Sequence, residues 1–413
     1  MNPELAAFRR ERAIRWLIPL FLASGATSLV YETVWERQLH LIFGTSQVAV
    51  STVLAAFMTG LALGGFGGAK WADTVDRPIR AYAILESFIG IYALIFPWLL
   101  KLVQPVYLGF YNTFEPSQTT FATFQFLLLG AMLLPPTFCM GMTLPLLSRF
   151  ATTTKSESGA RIGRLYGANT IGAVLGVGLA GFYLLPTIGL EATTWCTAGA
   201  NLILCLVALR LSKTVDRLQT EPTTRSTDTA GWGLTTLGLV AMLAGFASLL
   251  YEVAWFRLMS LILGASAFAF SVMLFSFLLG LGSGGWLGGP LADRLYNKGG
   301  QKRVLIGLAI IEVSIALLTW ATMWMYAELP WLFVVVYDAM SASTLLLWTG
   351  KRLLAMTVMV PPTLFMGLAF PLLDHGAAGV SLSLGNPFGL MSCWYTGRTY
   401  IVILLLCFLL LLV

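Results

Sequence analysis

Long apolar runs recur along the whole of this 413-residue chain. About 20 consecutive apolar residues let an α-helix cross the hydrocarbon core of a bilayer. Only 11% of the residues are charged, whereas a soluble domain of this size carries about 25%. The runs predict an all-α polytopic membrane protein of about eleven transmembrane helices, at 14–36, 44–68, 80–103, 122–147, 165–187, 190–210, 233–256, 262–290, 304–327, 352–373 and 399–413. A further apolar stretch at 330–349 contains Asp338 and stays ambiguous.

Lysine and arginine are distributed unequally between the two ends of these predicted helices. Most of the 25 basic residues fall in the N-terminal tail and in the segments that follow each even-numbered helix. Short loops rich in Lys and Arg stay in the cytoplasm. We therefore expect a multi-pass protein of the bacterial inner (cytoplasmic) membrane with a cytoplasmic N-terminus. The net charge of +6 reports this topology, and we predict no nucleic-acid partner.

The sequence contains an internal duplication. Residues 25–78 match residues 245–298 without gaps, and the match resumes with "LLPPTFCMGMTLPLL" (133–147) against "MVPPTLFMGLAFPLL" (359–373). Two parallel repeats, here of six and about five helices, are the arrangement of transporters whose sites lie between the halves. The predicted units are an N-terminal tail (1–13), repeat 1 (14–211), a polar cytoplasmic linker (212–230), repeat 2 (231–375) and a degenerate or truncated end (376–413).

The repeated segments "SLVYETVWERQL" (28–39) and "SLLYEVAWFRLM" (248–259) carry charged and aromatic residues inside apolar runs. On a helix, residues four apart share a face, which pairs the aromatic rings in each copy. Charged groups within a membrane span face protein or water. Two interpretations stay open, a pair of Glu–Arg bridges closing one mouth of the bundle or a ligand site. The candidate residues are Tyr31, Glu32, Trp35 and Arg37, with Tyr251, Glu252, Trp255 and Arg257.

Glu86 and Glu312 form a second matched pair, one or two turns inside the third helix of each repeat. No basic residue is adjacent to either of them in the sequence. An unpaired carboxylate at this depth is protonated, meets a cation, or is hydrogen-bonded by a neighbour. Ion binding and a structural hydrogen bond to a serine or a backbone carbonyl therefore both remain as interpretations.

Two further motifs suggest gating. "GGPLADR" (288–294) resembles the loop between the second and third helices of major facilitator transporters, and "GGAKWADTVDR" (67–77) keeps its acidic residue. The proline pairs remove backbone hydrogen bonds in mid-helix, which favours a kink or a hinge. The gating candidates are Asp73, Asp293, Arg294, Pro136 and Pro362.

No catalytic constellation accompanies these motifs. The sequence has no Ser/His/Asp set, no P-loop and no glycine-rich nucleotide fingerprint, and its five cysteines form no CxxC pair. We predict no cofactor and no metal site, and the sequence leaves enzyme activity uncertain.

The blocks "SG-SL-YE--W-R-L", "GG--G---AD" and "PPT--MG-T-PLL…GRLY-ANT-GA--G" resemble the membrane half of bacterial membrane-bound spermidine-synthase-like proteins, over roughly residues 14–375. These proteins fuse a transporter-like bundle to a cytoplasmic aminopropyltransferase domain, which has no counterpart in this sequence. The resemblance implies a bundle that binds or moves a small cation such as a polyamine. The alternative is a non-catalytic anchor, or a truncated fragment, of an aminopropyltransferase encoded separately.

Overall fold

The computed structural model describes residues 3–43, 47–72, 74–151, 158–215, 232–264, 267–341 and 343–383. All the regular elements in these ranges are helices, because apolar spans must satisfy their backbone hydrogen bonds internally. They are α1 (Pro3–Phe43), α2 (Gln47–Ala72), α3 (Pro78–Phe114), α4 (Gln118–Ala151), α5 (Ser158–Leu179), α6 (Leu185–Thr214), α7 (Trp232–Leu263), α8 (Ala267–Met340) and α9 (Thr344–Ser383). A π-helical turn (Ala180–Leu184) joins α5 to α6.

Eight helical stretches in the described ranges are long and apolar enough to cross a bilayer. Two of them contain a break with non-helical backbone angles, at Gly189 in α6 and at Gly299–Gly300 in α8, so the eight stretches comprise ten spans. Glycine supplies these breaks because it alone adopts such angles without strain. The predicted fold class, an all-α polytopic membrane protein, is confirmed. The predicted helix at 399–413 lies outside the described residues, as does most of the predicted linker.

Three boundaries differ from the sequence interpretation. Helix α1 begins at Pro3, so the described part of the predicted tail continues the first span as helix. The GGPLADR motif lies within α8, and the chain turns only at Gly299–Gly300. The ambiguous stretch is divided, since α8 runs on to Met340 and α9 begins at Thr344. In the first two cases helical hydrogen bonding extends past the apolar run, because polar side chains at helix ends can reach the interface.

Helices α2 and α4 pack closely because glycine lets their backbones approach. Gly60 lies against the side chain of Thr137, and Gly64 lies against the carbonyl of Phe138, with no room for a Cβ at either glycine. Helices α8 and α9 repeat both contacts at the equivalent positions, Gly280 against Thr363 and Gly284 against Leu364. Small residues commonly permit such close crossings in membranes. The duplicated sequence motifs therefore produce the same helix pair in both halves of the protein.

The two halves meet chiefly along α5 and α8, where Gly178 contacts Phe275. Gly181 of the π-helical turn also contacts Ser271 of α8, and the ring of Tyr166 in α5 stacks on Phe370 of α9 with a centroid separation of 4.8 Å. Within the first half, α5 lies directly on α1, where Gly172 and Gly176 contact backbone carbonyls. Helix α5 therefore connects α1 to the second half, and this arrangement places the repeated charged segments of α1 and α7 near the boundary between the halves.

Candidate cation-binding site

Glu32 on α1 and Glu252 on α7 occupy equivalent positions in the two repeats, and both are buried. Only 2% of Glu32 and 3% of Glu252 is exposed. One oxygen of each carboxylate, Oε1, is buried without a hydrogen-bond partner. Each half thus contributes one buried carboxylate that neighbouring polar groups leave incompletely satisfied.

Aromatic rings accompany both carboxylates. Tyr31 stacks on Trp35 with ring centroids 5.2 Å apart and planes 12° apart, and Tyr251 stacks on Trp255 at 5.6 Å and 24°. Both stacks follow from the i,i+4 spacing on one helix face. The Tyr31 hydroxyl and the Trp35 Nε1 have no hydrogen-bond partner, whereas Trp255 Nε1 donates to the Tyr326 hydroxyl at 2.5 Å. The two copies therefore share their ring geometry and differ in their polar contacts.

The two arginines do not bridge to these glutamates. Arg37 is half-buried and Arg257 is exposed, and within the described residues neither forms a salt bridge with Glu32 or Glu252. A separation of five residues turns a side chain by about 140° around a helix, which directs Arg37 away from Glu32. The expected pair of Glu–Arg bridges is thus not formed in this structure, and both carboxylates remain unpaired with arginine.

A buried pair on α1 was not among the candidates from the sequence. His40 Nε2 lies 3.0 Å from Glu36 Oε1, and both side chains are buried. This contact lacks the direction of a hydrogen bond, and both Glu36 oxygens remain without one. The i,i+4 spacing of an acid and a histidine was the available signal. Together with Glu32, this pair gives the second half of α1 three buried ionisable side chains.

Glu86 is held by two side chains from other helices. Ser24 Oγ of α1 donates to Oε1 at 2.5 Å, and Asn201 Nδ2 of α6 donates to Oε2 at 2.8 Å. One turn before Glu86 on α3, the Tyr82 hydroxyl donates to the Leu20 carbonyl of α1 at 3.5 Å. The Glu86 side chain is completely buried. These contacts join α1, α3 and α6, as expected for a structural polar centre.

Glu312, the equivalent of Glu86, has lost this environment. The position of Ser24 is occupied by Ala244, and that of Tyr82 by Leu308. Neither replacement can donate a hydrogen bond. Glu312 is half-buried, and its Oε1 is buried without a partner. The matched glutamates therefore differ in their surroundings, although their sequence positions allow the same two interpretations.

The charged gating candidates are Asp73, Asp293 and Arg294, and the structure describes the last two of them. Asp293 Oδ1 lies 2.9 Å from His375 Nε2, which connects α8 to α9 near the end of the bundle where α1 begins. The neighbouring Arg294 is exposed, and Asp73 lies outside the described residues. The GGPLADR motif is helical in this structure and does not form a loop. Asp293 therefore links α8 to α9 through its side chain.

The prolines lie within continuous helices. Pro136 in α4 cannot donate to the carbonyl of Met132, and the Tyr92 hydroxyl of α3 donates to that carbonyl at 2.7 Å. Pro362 is buried at the equivalent place in α9. The threonine after each proline bonds back to its own helix, Thr137 to Leu133 and Thr363 to Met359. In the first half, a neighbouring helix thus satisfies a carbonyl that proline leaves free, as in other membrane helices.

No family model matches the chain, and no curated protein matches it. The chain is similar in structure to the xylose transporter XylE from E. coli in a partially occluded inward open conformation. The sequences are 13% identical, the match covers 97% of this chain and 98% of that one, and the TM-score is 0.48. It is also similar to the POT family transporter PepTSo, with 13% identity, 97% coverage of both chains and a TM-score of 0.40.

Proposed function

We propose that this membrane bundle binds a small organic cation between Glu32 and Glu252 and moves it across the bilayer. The observation that carries the proposal is the burial of two equivalent carboxylates, one from each half, each with an oxygen that has no hydrogen-bond partner. A site at the boundary between repeats is exposed to either side when the halves rock against each other. The glycine contacts between α5 and α8 lie along the boundary where such movement takes place.

The charges of the site define the class of ligand. Two carboxylates that share a buried site repel each other, and burying each one without a counter-charge costs several kcal/mol. No arginine neutralises them within the described residues. A bound cation supplies the missing positive charge and donates to the unpartnered oxygens. The stacked rings of Tyr31 with Trp35 and of Tyr251 with Trp255 place aromatic surfaces beside the carboxylates, where ammonium groups are favoured by cation–π attraction.

A polyamine is the substrate class that we propose. A linear diamine or triamine carries separate ammonium groups, so one molecule can meet both carboxylates. The resemblance of the repeated motifs to membrane-bound spermidine-synthase-like proteins supports the same class. The N-terminus is proposed to lie in the cytoplasm of a bacterial inner membrane, as the distribution of basic residues indicates.

Binding of radiolabelled spermidine to the purified full chain tests this proposal. We expect Glu32→Gln and Glu252→Gln each to weaken spermidine binding at least tenfold, because each removes one counter-charge and preserves the side-chain shape. Glu328→Gln is the matched control, since Glu328 is an exposed glutamate of α8. Uptake of spermidine into proteoliposomes then separates transport from binding.

The proposal fails if both variants fold like the parent and bind spermidine with the parent's affinity. The alternative, a non-catalytic anchor for an aminopropyltransferase, predicts no spermidine-dependent stabilisation and predicts co-purification of a soluble transferase in mild detergent. Measuring thermal stability with and without spermidine in the same preparation distinguishes the two.

A further inference from the structure

Arg352 of α9 contacts both halves of the protein at one end of the boundary between them. Its guanidinium lies over the ring of Phe182, in the π-helical turn of the first half, with the guanidinium carbon 4.1 Å from the ring centroid. The same group lies 5.7 Å from the centroid of Phe268, at the start of α8 in the second half. The two ring centroids are 5.9 Å apart. One cation therefore lies against aromatic surfaces that belong to different halves.

Among the described residues, aromatic rings rather than a carboxylate accommodate the charge of Arg352. Its Nε is buried without a hydrogen-bond partner. A guanidinium stacks on aromatic faces, and the attraction grows as water is excluded. Arg352 lies within the apolar span Leu346–Leu373, where a charge is unfavourable unless the protein compensates it. Phe182, the nearer ring, provides this compensation only while the two halves are in contact at this end.

The Arg352 contact is at the end of the bundle opposite to that where α1 begins, which we call the far end. Arg352 lies 23 residues before His375 on α9, which corresponds to about 35 Å along the helix. A second contact between the halves, the stack of Tyr166 in α5 on Phe370 in α9, is close to the level of His375. Of these two ring contacts between the halves, only the one at the far end contains a charge.

The π-helical turn supplies two of the contacts at the far end. Its i→i+5 hydrogen bonds shift the side chains around the helix axis relative to a regular α-helix. Phe182 of this turn faces Arg352, and the neighbouring Gly181 lies so close to Ser271 of α8 that no Cβ would fit. Such turns are rare and occur frequently at functional sites. The irregular turn therefore coincides with the place where the first half meets both α8 and α9.

The cation at this position belongs to the second repeat alone. At the offset of 226 that relates the proline-containing segments, Phe126 occupies the position of Arg352 and cannot supply a charge. The adjacent Lys351 lies over Phe333 and Trp348, 4.9 Å from each ring centroid, and both rings belong to the second half. Of these two neighbouring cations, Arg352 is therefore the one whose described ring contacts cross the boundary.

We propose that Arg352 and Phe182 form a latch that keeps the far end of the boundary closed, and that this cation–π contact breaks when the halves separate there. The latch gives the transporter a gate at the far end, while the stack of Tyr166 on Phe370 closes the other end. This inference rests on the movement of the halves in the proposed function, and it holds whichever cation is transported.

The test measures how fast a cysteine at each level of the boundary reacts with the charged thiol reagent MTSET in the purified full chain. The far reporter is Ser271→Cys, at the contact with Gly181. The second reporter is Thr170→Cys, which faces Gly282 of α8 and lies about 18 Å before Phe182 along the first-half helix. Both parent side chains are buried, and each reporter is made in a chain whose five native cysteines are replaced by alanine.

We expect Arg352→Gln to raise the reaction rate of Ser271→Cys about tenfold, because it removes a desolvated cation–π contact. The rate of Thr170→Cys should not rise, since only the far end opens. Phe182→Leu should have the same effect as Arg352→Gln, and the double variant should react no faster than either single variant, because both remove one contact. Arg352→Lys keeps a cation and should stay closer to the parent. Lys351→Gln is the matched control and should leave both rates unchanged.

Three results overturn the inference. The first is an unchanged or lower rate of Ser271→Cys in both Arg352→Gln and Phe182→Leu. The second is an equal rise at Ser271→Cys and Thr170→Cys, which would show that the bundle loosens as a whole. The third is an equal effect of Lys351→Gln. These assays contain no spermidine, so their outcome is independent of the binding measurements that test the proposed function.

Discussion

Replacing Glu86 by leucine removes the acceptor shared by Ser24 and Asn201. The leucine has a similar volume, so the main effect is the loss of the two hydrogen bonds that join α3 to α1 and α6. Hydrogen bonds between membrane helices contribute about 0.6 kcal/mol on average and up to about 1.7 kcal/mol. We therefore expect Glu86→Leu to lower the free energy of unfolding by about 2–5 kcal/mol, because the buried donors also lose their partner.

Glu312→Leu is the matched control for this experiment. It makes the same chemical change at the equivalent position, where the carboxylate oxygen Oε1 has no partner and the neighbours are Ala244 and Leu308. Removing an uncompensated carboxylate from a membrane span is expected to be neutral or stabilising. We therefore expect opposite signs, or at least unequal sizes, for the effects of the two substitutions on the free energy of unfolding.

The assay is reversible unfolding of the purified protein in mixed micelles, titrated with a denaturing detergent and followed by tryptophan fluorescence and circular dichroism. Both variants and the parent are compared in the same buffer. A cost of less than about 0.5 kcal/mol for Glu86→Leu, which is below one average interhelical hydrogen bond, refutes the structural role of Glu86. Equal destabilisation by the two variants would refute it as well.

Two further predictions concern packing and the proline-containing helices. Gly60→Ala places a Cβ against Thr137, so we expect it to destabilise the bundle by about 1–3 kcal/mol in the same assay, and Gly280→Ala to do the same against Thr363. Gly130→Ala is the control, because no atom lies within 4 Å of its added Cβ. This substitution should be neutral or slightly stabilising. Equal effects at Gly60 and Gly130 would contradict the close packing. Tyr92→Phe leaves the Met132 carbonyl without its 2.7 Å hydrogen bond and should cost about 1 kcal/mol. An unchanged stability would mean that this carbonyl finds another donor.

Much of the fold follows from features that act over short distances in the sequence. The length of the apolar runs predicts the membrane helices, because a bilayer requires about 20 such residues for each crossing. The glycines between the predicted spans near 189 and 300 mark the breaks that the structure contains. Helix ends were predicted less well, as at Pro3 and in the GGPLADR motif, because apolar character ends before helical hydrogen bonding does.

The candidate site was predictable only where its geometry is local. The stacks of Tyr31 on Trp35 and of Tyr251 on Trp255 follow from helix periodicity alone. The Glu36–His40 pair has the same spacing and went unrecognised, since an acid and a histidine four residues apart are common in exposed helices as well. Whether the arginines meet the glutamates depends on neighbouring helices, and the sequence left that interpretation open.

By itself, the sequence determined that the chain is a duplicated bundle of membrane helices and that each repeat carries the same acidic and aromatic residues. Only the tertiary structure decided what the matched residues do. Glu86 and Glu312 occupy equivalent positions, yet Ser24 and Asn201, which are 62 and 115 residues away from Glu86, surround one and not the other. The stability and reactivity of a buried carboxylate depend on the few groups within hydrogen-bonding distance of it. Those groups come from other helices, and their arrangement is fixed by packing rather than by the local pattern of residues.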